Sequence, residues 1–72
     1  MFEDEKIINH NGEEIIVKLG EYNDLLGKYF ASAWYKKYPN NPVYYQHQDK
    51  NNAMEGASDR IKNIGLEIIK AL

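Results

Sequence analysis

At 72 residues, with 43% hydrophobic and 28% charged residues, the chain is expected to form one folded domain near the lower size limit for a self-sufficient core. Its formal net charge is −2 and it has no cysteine, which excludes a disulfide scaffold and a thiolate zinc site. No apolar run approaches the ~18 residues of a membrane span, and the acidic start Met1-Phe2-Glu3-Asp4-Glu5 is unlike the basic start of a signal peptide, so no membrane partner is expected.

Ile, Asn and Lys each occur eight times, against a single arginine. That preference matches A/T-rich codons and suggests a low-GC bacterium, or a phage of one, with the bacterial cytoplasm as the expected location. Charge is unevenly spread. Residues 1–27 carry a net −5, residues 28–50 a net +3, and residues 51–72 balance. Such asymmetry can guide a partner, or it can be no more than solvated lysine.

Residues 1–5 are expected to fray, with Phe2 tucked against the core. Over residues 6–19, two β-branched runs flank Asn11-Gly12, whose tolerance of positive φ suits a type I′ hairpin turn. A two-residue loop fixes the register, with His10 opposite Glu13, Ile8 opposite Ile15 and Lys6 opposite Val17. One face then presents Ile8, Ile15, Val17 and Leu19 to the core, and the other keeps Ile7 paired with Ile16. Two strands alone are unstable in water and need a covering layer.

Over residues 21–38, Tyr22, Leu25, Leu26, Tyr29, Phe30, Ala33 and Trp34 recur at three-and-four spacing and predict a helix, which Asn23 or Asp24 would cap. Tyr35 falls on its opposite, exposed side, and Lys36 and Lys37 sit in its last turn. As the main core element, this helix should unfold the domain if Leu26 or Phe30 became aspartate. Pro39-Asn40-Asn41-Pro42 stops it. Residues 39–51 read as a loop with a short helix, although Val43-Tyr44-Tyr45 also suits an extended edge strand. A last helix is expected over residues 52–71, starting at an Asn52…Glu55 capping pair. Its seam is Met54, Ala57, Ile61, Ile64, Ile68 and Leu72, with small residues Ala57 and Gly65 that would let another helix come close. The expected fold is α+β, an N-terminal β-hairpin packed against two main helices (ββα(α)α).

Catalytic chemistry finds little support. There is no threonine, Ser32 and Ser58 lie outside any nucleophile-elbow context, and His10 and His47 lack metal-ligand spacing. A calcium loop beginning at Asp49 fails where Ala53, Met54 and Arg60 replace the required oxygen, glycine and acid. No paired acid and base, phosphate loop or dinucleotide fingerprint occurs. The expectation is a non-enzyme that takes no cofactor or metal.

What remains is binding. Trp34, Tyr35, Lys36, Lys37, Tyr38, Tyr44 and Tyr45 concentrate aromatic area and positive charge, as a protein contact surface does. The bland reading is that most of these aromatics simply complete a small core. A second possibility is nucleic acid, with Lys28, Lys36, Lys37 and Lys50 on phosphates and tyrosines on bases, against which stand the acidic N-terminal third and the lone arginine. Self-association, up to a structural homo-oligomer, is expected through Ile7, Ile16, Ala57, Ile61 and Ile68. The favoured reading is a small regulator, inhibitor or adaptor acting on another protein, of the kind phages and mobile elements direct at a host.

Overall fold

In a computed structural model, residues 4–72 are described; the packing expected of Phe2 lies outside the described residues. Asn11 and Gly12 both have positive φ (54° and 84°) and close the hairpin between β1 (Glu5–His10) and β2 (Glu13–Asn23). Its register has Lys6 opposite Val17, Ile7 opposite Ile16, Ile8 opposite Ile15 and His10 opposite Glu13, as the two-residue turn requires. Ordered structure starts earlier than expected. β1 begins at Glu5, and the Asp4 carbonyl accepts a hydrogen bond from Leu19 N.

The helix expected over residues 21–38 is not formed. In its place are the end of β2, a turn over residues 24–27, and β3 (Lys28–Tyr35). Asn23 organises the turn: its side-chain oxygen accepts from Leu26 N and its carbonyl from Gly27 N, while Gly27 takes a φ of 65°. The segment carries two periodicities at once. When both faces of a strand carry aromatics, positions 29, 30, 33 and 34 satisfy helical spacing as well as strand alternation. Alternation wins because Tyr29, Ala31, Ala33 and Tyr35 face the core while Phe30, Ser32 and Trp34 face the other way.

β4 (Val43–His47) then pairs with β3, giving a four-stranded antiparallel sheet in the order β1-β2-β3-β4. Residues 39–51 therefore contain the edge strand and not a short helix of their own, and their last two, Lys50 and Asn51, already belong to α1. α1 (Lys50–Ile64) is capped by Asp49, whose carboxylate accepts from Asn52 N at 2.9 Å, so the helix starts earlier than an Asn52 cap would place it. The single last helix is in fact two. Gly65, at φ 86° and ψ 154°, holds a conformation almost closed to other residues and separates α1 from α2 (Leu66–Ala71). The result is a small α+β domain of four strands followed by two helices, in place of a hairpin under helices alone.

The helices cover one face of the sheet. Ile15, Val17 and Leu19 of β2 and Ala31, Ala33 and Tyr35 of β3 meet Ala53, Met54, Ala57 and Ile61 of α1, with Ile69 of α2 completing the core. Alanines on both sides let helix and sheet approach closely. Gly56 carries this furthest: a Cβ there would lie 2.2 Å from the Tyr45 ring. A bulge in β2 between Leu19 and Tyr22 inserts one residue, which turns Tyr22 onto the face of Tyr29, its ring 4.8 Å away centroid to centroid.

Two stability outcomes follow from this packing. Gly56→Ala should lower stability by about 1–3 kcal/mol in urea unfolding, despite alanine's better helix propensity, and the loss should shrink in a Tyr45→Ala background. Leu26→Asp, at a turn position 54% exposed, should change stability by no more than about 0.5 kcal/mol, where a helical core position would have unfolded the domain.

Candidate functional site

The face of the sheet turned away from the helices is assembled from every second residue. Ile7 pairs with Ile16, and Ile16 with Trp34, forming one row across β1, β2 and β3. The next row runs Glu5, Lys18, Ser32 and Tyr44, and the third places Phe30 beside Gln46. No helix of the described residues covers this face. Ile7 is 56% and Tyr44 60% exposed, while Ile16, Phe30 and Trp34 are half-buried by their neighbours. Apolar and aromatic side chains thus share this face with Glu5, Lys18, Ser32 and Gln46.

Two groups of expected site residues meet here. Trp34 and Tyr44, expected to meet a partner, share the face of Ile7 and Ile16, expected to self-associate. Phe30 joins them, although the helical reading placed it in the core. Its signal lay in the alternation of Lys28–Tyr35, which puts Phe30, Ser32 and Trp34 on one side.

Most of the other expected site residues lie elsewhere. Tyr35, read as exposed, is the largest fully buried side chain, because strand period reverses the face that helix period assigned to it. Burial pushes its phenol above the usual tyrosine value, and the Glu13 carboxylate adds to the rise. Tyr38 packs against the core, as does Tyr45. Lys36 and Lys37 follow β3 and form ion pairs, Nζ of Lys36 with Oε1 of Glu14 at 3.2 Å and Nζ of Lys37 with Oε1 of Glu13 at 3.5 Å. Lys28 stands at the opposite end of β3, so the basic segment 28–50 forms no single patch along that strand. Ala57 and Ile61 are fully buried against the sheet and so are not available for self-association, whereas Ile68 on α2 is 57% exposed.

Both histidines make local contacts. Asn11 Nδ2 lies 3.4 Å from Nε2 of His10, and Nδ1 of His47 accepts from Asp49 N just before α1. Among the described residues no three His, Asp or Glu side chains gather as a metal site would require. Neither helix is long and apolar enough to cross a membrane.

Sequence reasoning gave Arg60 no role, and its position depends on tertiary packing alone. Its Nη1 donates to the Tyr44 carbonyl at 2.7 Å, and its guanidinium sits 5.8 Å from the centre of the Tyr45 ring. α1 thereby holds the outer side of β4. No protein-family model, curated protein or solved structure matches the chain.

The Tyr35 phenol gives a pH test of the core. A raised folded-state value means that its contribution to stability is intact below about pH 10 and is lost as pH rises through the folded value. Between about pH 9 and 12, native protein should lose stability more steeply than Tyr35→Phe, as read by thermal unfolding across that range.

Proposed function

We propose that the protein is a non-enzymatic protein-binding module, a regulator, inhibitor or adaptor that docks a partner on its open sheet face. The observation that carries this reading is the row Ile7, Ile16 and Trp34, with Tyr44 in the next row and Phe30 in the one after, on a face that no helix of the described residues covers. Trp and Tyr are typical energetic centres of interfaces because they bury much area with few rotatable bonds. A sheet also holds them rigidly, so little side-chain entropy is lost on docking. Lys18 lies among them, with Glu5 beside it and Glu14 on the same side of β2, so the polar groups near the apolar row carry both signs. That pattern fits a protein surface better than a polyanion. In the setting the codon bias suggests, the partner is a component of a bacterial host.

The test is capture of the partner from host extract by native protein and by Trp34→Ala, Tyr44→Ala and Lys36→Ala. Affinity for the captured protein should fall at least ~30-fold for Trp34→Ala, should hardly change for Lys36→Ala, and should be nearly independent of salt. Capture indifferent to both aromatic substitutions would sink the reading. So would tight binding of oligonucleotides that weakens steeply with salt, which would favour nucleic acid instead.

A further inference from the structure

We infer that the free edge of β1 pairs with β1 of a second copy, joining two sheets into one of eight strands about a two-fold axis at Ile7. The inference concerns an edge of the sheet and stands apart from the partner docked on its face.

The two edges of the sheet are not alike. In a hairpin with a two-residue loop, the residues flanking the loop exchange backbone hydrogen bonds, so Lys6, Ile8 and His10 direct their N–H and C=O groups to β2. The Asp4 carbonyl, bonded to Leu19 N, continues that alternation. Glu5, Ile7 and Asn9 therefore direct theirs outward. On the far side, Lys36 N donates to the Glu14 carbonyl, which fixes the β2–β3 ladder and leaves Tyr44 and Gln46 as the outward residues of β4. Arg60 occupies the Tyr44 carbonyl, and Pro42 adjoins the strand. β4 is thus short and guarded, as isolated edges in natural sheets usually are. Among the described residues no side chain or loop bonds the outward backbone groups of β1. α1 packs mainly on β2, β3 and β4, which leaves β1 on the less covered side of the layer.

The charges on β1 select the register. With Ile7 opposite Ile7 of the second copy, Glu5 faces Asn9 of the second copy and the reverse, so each carboxylate has an amide donor opposite. Lys6 then faces Ile8 of the second copy, and every outward N–H and C=O of β1 is paired. Sliding by one residue per copy toward the N-terminus opposes Lys6 with Lys6. Sliding the other way leaves Glu5 without a strand partner. Two-fold pairing also extends the apolar row, since Trp34, Ile16 and Ile7 of one copy continue into Ile7, Ile16 and Trp34 of the other.

Sedimentation of the native protein at ~100 µM should give a dimer. Ile7→Pro removes only an outward N–H, which an edge strand tolerates, and should raise the dimer dissociation constant at least ~10-fold with an unchanged circular dichroism spectrum. The chain has no cysteine, so Ile7→Cys and Ile16→Cys each add a unique thiol. Directly opposed, hydrogen-bonded residues lie about 5.5 Å apart at Cα, within disulfide reach, so on mild oxidation Ile7→Cys should cross-link and Ile16→Cys should not. A monomer at ~100 µM overturns the inference. A dimer in which Ile16→Cys cross-links in preference to Ile7→Cys overturns it too, because the copies would then stack by their faces. Loss of partner capture with the dimer intact would count against the face alone.

Discussion

The close approach of α1 to the sheet is the contact on which the rest of the structure depends. A domain of this size has room for few large core side chains, so it gains stability by bringing backbones together and leaving little unfilled space. Ala31 and Ala33 on β3 and Ala53 and Ala57 on α1 are fully buried, and Gly56 admits the Tyr45 ring where any side chain would collide with it. Because the contact is tight, it is also directional. α1 has one seating on the sheet, and that seating decides which face is spent on the core and which edge Arg60 can reach.

From this seating follows a division of the aromatic residues. Tyr35, Tyr38 and Tyr45 are used inside, Tyr22 and Tyr29 pair beside the bulge, and Trp34, Phe30 and Tyr44 stand on the open face. The bulge matters to that division. Without the extra residue in β2, Tyr22 would stay on the open face and Tyr29 would lose its neighbour. Ion pairs contribute little to the architecture, since Lys36 and Lys37 are both exposed where they meet Glu14 and the half-buried Glu13, and pairs open to solvent are worth about 0–1 kcal/mol.

The hairpin was legible in the sequence because its signals are local. Asn11-Gly12 sets the turn, the turn sets the register, and the register sets the faces. β3 was not legible in that way. Lys28–Tyr35 meets helical and strand periodicity together, and what decides between them is pairing with β2, a contact absent from any short window of sequence. The same holds for β4, whose strand form depends on β3 being there to receive it. Along the C-terminal region the pattern predicts helix, which forms, but nothing in it shows that Gly65 takes a positive φ and breaks the helix in two. For the candidate surface, the sequence marks Trp34, Tyr44, Ile7 and Ile16 one by one, and only the sheet shows that they share a face.

Arg60 has a consequence for how copies of this chain can meet. A sheet with two open edges can add copies at either end without limit and so grow into a ribbon. Here the lone arginine ties α1 to the Tyr44 carbonyl, and the outer side of β4 is less able to receive a strand. Strand addition then has one starting point, and two copies that use it on each other leave none for a third. A single guanidinium would thus set the difference between closed assembly and open polymerisation.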